Sequence, residues 1–368
     1  MSAGLKPLGR RAVAAYRAVE LRPPRVQVGP ASGPRRIFYL TPHGNVPAGG
    51  VRVMYRHVDI LNDSGVEAFV LHGRRGFECT WFEHRTPVVD TSSVRIGPDD
   101  LLVVPELFVG TLAGLGAGRP HVIFNQGPHL TFQREGANTA AHYVAGPDLR
   151  GVLTVSEHGR RLLEYAFPHL DVWCVRNSIE LDLFRPGDAR DPRLITYMPR
   201  RANADATLVL ELLRARGALD GWTVRPLEGL TRRETAEALR SSSIFLHFTY
   251  QEGFGLPAAE AIACGNLVIG FDGFGGREIF RPEFSRPVPA GDVVAFAQTV
   301  EEALRREERE PGWCRSLGER AATYVSRRHS EENEREDVLA FYRHVIETPR
   351  KSPIGDRRPY LEAVPHET

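Results

Sequence analysis

Residues 250–266 read YQEGFGLPAAEAIACGN, which sets Glu252 and Glu260 eight positions apart with two glycines and a proline between them. The run before it, Ile244–Thr249 (IFLHFT), is short and rich in aromatic and branched residues, the pattern of a buried strand. Pro257 suits the first position of a helix, where its missing N–H costs nothing. The alanine-rich run Ala258–Ala263 propagates that helix, and Gly265 ends it. The stretch therefore predicts a strand, a glycine loop and a helix N-terminus. Glu252 falls in the loop and Glu260 in or just after the first helical turn.

Such a loop suits an anion. Gly253 and Gly255 let a ligand approach the backbone, while the free N–H groups and the positive end of the helix dipole favour a phosphate. A glutamate near a helix start, taken alone, only complements the dipole, for ~0.3–1 kcal/mol. Two carboxylates flanking a phosphate-ready loop call for more, because carboxylates accept hydrogen bonds from sugar and ribose hydroxyls. A phosphate in the middle with hydroxyls on both sides describes a nucleotide sugar.

Composition narrows the alternatives. A chain of 368 residues, 42% hydrophobic and 25% charged, suits two globular domains with real cores. The net charge of +1 leaves no overall nucleic-acid footprint. The lysines are Lys6 and Lys351, both near the chain ends, so no interior lysine is at hand for a pyridoxal Schiff base, and no G-K-[ST] phosphate loop exists. Cys79, Cys174, Cys264 and Cys314 are scattered without a C-x-x-C pair, which argues for a reduced protein without zinc. No apolar run reaches the ~20 residues of a membrane span, and no signal-peptide pattern opens the chain, so the expected location is cytoplasmic.

Residues 1–33 read as an N-terminal extension, a basic helical candidate at Leu8–Leu21 followed by prolines. Its apolar face is mostly alanine; a solvated or domain-packing helix is the preferred reading, and a weak contact with an anionic membrane surface the second. In residues 34–180 strands are expected at Ile37–Leu40, Ala68–Leu71, Leu101–Val104, Val122–Phe124 and Val152–Val155, with a helix at Val51–Leu61. The polar connector Asn177–Pro186 (NSIELDLFRP) leads into a second alternating run over 181–327. Its strands are expected at Leu194–Met198, Trp222–Val224, Ile244–Thr249 and Leu267–Gly270, and its helices at Asp205–Arg216, Thr231–Arg240, Asp292–Arg306 and Trp313–Arg327. A last helix, Glu331–Glu347 within a segment 328–348, is able to pack against either domain, a return to the first being the preferred reading, and 349–368 is a tail. Alternation of this kind predicts two parallel sheets covered by helices on both faces, with ligands beyond the carboxyl ends of the strands. The first-domain loops that qualify are 43–50, 125–129 and 156–158.

These residues resemble a family. "EGFGLPAAEA" resembles the E-x7-E signature of retaining glycosyltransferases of family four, which have the GT-B fold. Gly49-Gly50 resembles that family's glycine loop, "LTVSEHGRRLL" its strand-then-serine element, and "VRNSIELDLFRP" its N-G-I-D…F-x-P linker with Ser178 in place of glycine. "GFGGREIF" followed by "VPAGD" resembles its G-G-x-x-E segment and P-x-G-D turn. The matches run in order over roughly residues 36–345. One departure stands out: in "YMPRRANADA", Arg200 fits the family's arginine, but Asp205 lies where a lysine is usual, which leaves Arg201 as its replacement.

The resemblance implies two Rossmann-like domains facing a cleft, and a retaining, metal-independent transfer from a nucleotide-diphosphate sugar to a glycan or natural-product acceptor. No cofactor beyond that co-substrate and no nucleic-acid partner is expected. Glu252 would hold the donor sugar, Glu260 the ribose, and the backbone of Phe254-Gly255-Leu256 the sugar and phosphates. Gly49, Gly50, Gly253, Arg200 and Arg201 complete the implied donor site. The absence of D-x-D from the chain separates it from the metal-dependent GT-A class. Gln126 and His129, in "FNQGPHLTF", and His43 are the candidates near the acceptor, although in this chemistry the departing phosphate itself can take the proton. The alternative is a GT-B relative that binds or epimerises a nucleotide sugar without transfer.

Overall fold

The computed structural model describes residues 24–30, 33–45, 47–114, 119–132, 139–144, 148–199 and 203–347. The helical candidate Leu8–Leu21 and the arginines Arg200 and Arg201 lie outside them.

Strand β1 (Ile37–Thr41) is buried along its whole length. Its alternate residues serve different cores: Ile37 and Tyr39 join one apolar cluster, Phe38 and Leu40 another on the opposite face. A strand apolar on both faces belongs inside a sheet covered twice, which is how parallel sheets are built. The first sheet has the order β3-β2-β1-β4-β5-β6-β7, with β2 at Ala68–His72, β3 at Val88–Asp90, β4 at Leu101–Pro105, β5 at His121–Asn125, β6 at Leu149–Thr154 and β7 at Val172–Cys174. All its pairings are parallel. Helices α1 (Gly49–Asn62), α2 (Thr139–Val144) and α3 (Glu157–Ala166) connect them, with 3-10 turns at Glu106–Gly114 and Pro128–Phe132.

The second sheet runs β12-β11-β10-β8-β9, again parallel, from β8 (Leu194–Tyr197), β9 (Thr223–Pro226), β10 (Ile244–His247), β11 (Leu267–Phe271) and β12 (Arg286–Val288). Its helices are α4 (Asn203–Ala215), α5 (Arg232–Ser241), α6 (Leu256–Ala263), α7 (Val293–Arg309) and α8 (Trp313–Arg328). Helix α9 (Glu331–Glu347) returns to the first sheet: Tyr342 donates to Tyr39 at 2.5 Å, and Arg150 donates to the Val345 carbonyl at 3.0 Å.

In each sheet the strand order reverses once, between β1 and β4 and between β8 and β10. Crevices open at such reversals, beyond the carboxyl ends of the strands. The loop carrying Glu252 follows β10, and the Gly49-Gly50 pair follows β1. Each domain thus turns a reversal point toward the other.

Several local expectations shift. Gly49 and Gly50 are the first residues of α1, two positions earlier than the start expected at Val51. Strands β3, β7 and β12, each three residues at a sheet edge, have no counterpart in the expected strands, because so short a segment carries no period of its own. Trp222 packs in the second-domain core ahead of β9 and does not open it. The polar connector is itself partly buried. Asn177 and Ser178 are buried, and the Ser178 hydroxyl donates to Glu334 at 2.7 Å, so serine in place of glycine supplies a hydrogen bond to a buried carboxylate.

Candidate active site

Loops at the carboxyl ends of the two sheets meet at backbone distance. Gln126, one residue past β5, donates its side-chain amide to the Gly50 carbonyl at 3.1 Å, and its N–H donates to Glu106 at 3.1 Å. Its carbonyl lies against Gly253, where a Cβ would overlap the oxygen. Gly253 is therefore glycine because protein backbone from the other domain fills the space above it, a more immediate reason than ligand approach. Gly49 sits against the Leu256 side chain. Gly255 caps α6 in the left-handed region, at φ +91°, without a side-chain cap. Gly49, Gly50, Gln126, Gly253, Gly255 and Leu256 are all brought together. Phe254 turns its ring into the core, tilted over His329 at 4.8 Å.

Glu252 is half-buried on this loop, and its N–H donates to the Gly273 carbonyl at 2.9 Å. That contact ties it to a strained turn. Phe274 has φ +63° and ψ −55°, and the Gly275 N–H closes the turn onto the Gly273 carbonyl at 2.8 Å. A γ-turn of this sign is rare, and a side chain there costs of order 1–3 kcal/mol. The Phe274 ring lies 5.3 Å from His158 and 5.8 Å from His129, the two imidazoles lie 5.3 Å apart, and the Arg277 guanidinium sits over Phe274 at 4.9 Å. His129 and His158 belong to the first domain and Phe274 to the second, so the stack crosses the cleft. Burial lowers the pKa of both histidines; the charge of Glu252 opposes this at His129. The Nε2 atoms of both rings are buried without a hydrogen-bond partner.

Glu260 lies in the second turn of α6 and is buried. Its Oε1 accepts from Arg52 of α1 at 3.1 Å and lies 3.7 Å from Arg232 of α5. Both arginines also reach Glu180 of the connector, Arg52 at 3.3 Å and Arg232 at 2.8 Å. Four alternating charges close a ring across the two domains. A capping box sets Arg232 in place: Thr231 accepts from the Glu234 N–H at 3.3 Å, and Glu234 accepts from the Thr231 N–H at 2.8 Å. Burial raises the pKa of Glu260, and the Arg52 charge works against that.

A third crossing involves Glu278 of the G-G-x-x-E segment. Its carboxylate accepts from the Glu157 N–H at the start of α3, at 2.5 Å, and lies 3.5 Å from Arg328. Asp205, at the expected lysine place, is in the first turn of α4; a hydrogen bond from the Tyr250 hydroxyl to it pushes Tyr250 up to about 12.

Other candidates take different places. Asn125 is a core residue of β5, donating to Thr131 at 2.7 Å and Tyr143 at 2.8 Å, whereas Gln126 and His129 of the same loop meet Gly253 and Phe274 of the other domain. His43 packs edge-on against Phe77 at 6.2 Å. Arg52, Arg232, Glu180, His158 and Phe274 were not among the residues the sequence singled out. Arg52 carried a readable signal, a lone charge inside the apolar run Val51–Met54. Among the described residues, no group of three or more His, Cys, Asp or Glu is placed to hold a metal ion, and no helix is long and apolar enough to cross a membrane.

Comparison with known proteins agrees with this architecture. Residues 223–322 match the family described as "Glycosyl transferases group 1". The chain is 25% identical over 269 residues to an alpha-1,6-glucosyltransferase of Actinobacillus pleuropneumoniae serotype 7, covering 70% of this chain and 79% of that protein. It resembles the structure of HepE from Anabaena in complex with UDP-glucose, with a TM-score of 0.65 at 13% identity over 84% of this chain and 99% of that one. Sucrose-phosphate synthase from Thermosynechococcus elongatus gives a TM-score of 0.62 at 16% identity, covering 85% and 99%. These likenesses establish the fold as GT-B, two Rossmann-like α/β domains facing a cleft.

Proposed function

We propose that this protein is a retaining, metal-independent glycosyltransferase that moves a hexosyl group from a nucleotide-diphosphate sugar to a hydroxyl of a glycan or natural-product acceptor. One observation carries the reading. Glu252 and Glu260 stand on either side of the left-handed Gly255 at the N-terminus of α6, where the first domain's Gln126 and Gly49 close over the loop. Glu260 accepts from the ribose and Glu252 from the donor sugar, with the diphosphate between them at the helix N-terminus. Arg200 and Arg201 supply positive charge to the leaving diphosphate, and the growing charge on it is what a preorganised cationic site stabilises. Gln126 and His129 face the sugar from the acceptor domain. His129, kept neutral by burial, offers an acceptor nitrogen to a hydroxyl.

UDP-glucose is the first donor to test, given the glucosyltransferase likeness and the UDP-glucose held by HepE. A thermal-shift panel of UDP, GDP, ADP and dTDP identifies the base. Release of NDP with and without acceptor extracts then separates transfer from binding or epimerisation, and proton NMR of the product reads the anomeric outcome. Turnover in EDTA equal to that in buffer supports metal independence. Inversion, or loss of activity in EDTA, would refute that part of the proposal.

A further inference from the structure

Arg52 sits in the first turn of α1, in the acceptor domain, among side chains that belong to the core. Its partners come from elsewhere: Glu180 from the connector and Glu260 from the donor domain, 208 positions along the chain. Both ionic contacts of Glu260 fall on Oε1, from Arg52 at 3.1 Å and Arg232 at 3.7 Å. One carboxylate oxygen is anchored, which leaves the other to receive a ligand hydroxyl.

We propose that Arg52 is a positioning residue for the ribose subsite, supplied by the acceptor domain, which holds Glu260 ionised and oriented so that its second oxygen meets the donor's ribose. The inference rests on the ribose reading of Glu260 given above. Its consequence is that the ribose subsite is complete only while the acceptor domain is closed over the donor domain, so nucleotide affinity reports domain closure. Burial pushes Glu260 toward its protonated form and Arg52 is the largest influence in the other direction. The other ionisable groups around the carboxylate are Arg56 of α1, Glu180 of the connector, Arg232 of α5 and Cys264 at the end of α6.

Calorimetric titration of the full chain with UDP, from about pH 5.5 to 8.5, tests this on Arg52→Met, Arg52→Lys, Glu260→Gln and the double variant Arg52→Met/Glu260→Gln. Arg52→Met should weaken UDP about tenfold near neutral pH. It should also move the acid-side loss of affinity to higher pH, because the carboxylate then takes its proton sooner. Arg52→Lys, which keeps the charge, should return the pH midpoint toward wild type. Glu260→Gln should weaken UDP about tenfold with a flat pH profile, and adding Arg52→Met should cost nothing further. In turnover, the loss in Arg52→Met should fall on the donor KM more than on kcat.

Wild-type affinity and pH profile in Arg52→Met, with Glu260→Gln weakened, would reduce Arg52 to a tie between domains and overturn the proposal. Additive losses, about hundredfold in the double variant, would mean that Arg52 meets the nucleotide itself, through the Nε that lies buried without a hydrogen-bond partner, and would overturn it too. Wild-type affinity in Glu260→Gln would remove the ribose reading and this inference with it. Should Arg52→Met not fold, Arg52→Gln and Arg52→Lys carry the same comparison.

Discussion

Around Glu260 the two domains meet through charge, and around Glu252, eight residues earlier, they meet through rings and a strained turn. The first region is a closed ring of two arginines and two glutamates, with Arg52 and Glu260 buried. Such a ring tolerates little change, because removing one member leaves another charge buried and unpaired. The second region stacks His129, His158 and Phe274 across the cleft over a backbone turn that Phe274 adopts against its own preference. Strain of that kind persists only where the surroundings over-determine it, and it clusters where ligands act. The contrast places a buried ionic network on the Glu260 side and stored backbone strain on the Glu252 side.

The sharpest way to break this contrast is to truncate each glutamate. Glu260→Ala leaves Arg52 and Arg232 sharing Glu180, so stability should fall by about 3–5 kcal/mol in urea unfolding. UDP should bind about ten- to a hundredfold more weakly, the range of a charged hydrogen bond. Glu252→Ala should cost about 1 kcal/mol of stability and leave UDP binding near wild type, while transfer collapses. Equal stability losses, or equal losses of UDP affinity, would show that the two regions are not distinct.

In the proposed function Arg200 and Arg201 grip the donor diphosphate, and truncating them sharpens the comparison. Arg200→Ala should lower kcat about a hundredfold, and Arg201→Ala about tenfold, each with a smaller rise in donor KM. Changes in kcat/KM within twofold for both would place the diphosphate grip elsewhere in the chain.

Acid acts on the buried titratable groups with opposite signs. Glu260 has a raised pKa, so the folded state takes up its proton more readily than the unfolded chain, and its contribution to stability grows as pH falls through that window. Buried histidines act the other way. Burial holds His57, His72 and His329 at about 4, below the ordinary value of 6.5, so the unfolded chain takes up protons first as pH falls from 6.5 toward 4. Each should remove about 1.4 kcal/mol of stability per pH unit in that window. The net expectation is falling stability below about pH 6.5, with proton uptake on unfolding measurable by calorimetry in buffers of different ionisation enthalpy. A flat profile would mean that the histidines are not held neutral.

The smallest effect isolates strain from stacking. Phe274→Ala deletes the ring and keeps a Cβ at positive φ, whereas Phe274→Gly deletes the ring and relaxes the backbone. The glycine variant should be the more stable of the two by about 1 kcal/mol, read as a higher Tm. An alanine variant at least as stable would argue that the turn stores no strain.

Much of the frame was legible in the residues themselves, because it depends on near neighbours. Strand, glycine loop and proline-started helix follow from Ile244–Gly265, and Gly265 ends α6 with φ +80°. Thr231 and Glu234 mark the start of α5, and α9 spans Glu331–Glu347 as its pattern predicts. Alternation of apolar strands and helices determined two doubly wound domains, since a parallel sheet must be apolar on both faces and covered twice. Tertiary structure decided the rest. No local pattern tells that Gly253 is glycine for the Gln126 carbonyl, that Ser178 serves Glu334, or that Arg52 belongs to Glu260. Those pairings join segments far apart in the chain, and they exist only because each sheet's strand order brings its loops to one end and the two ends are packed against each other; a helix or a turn is chosen by forces within a few residues, whereas a buried charge finds its partner through the whole fold.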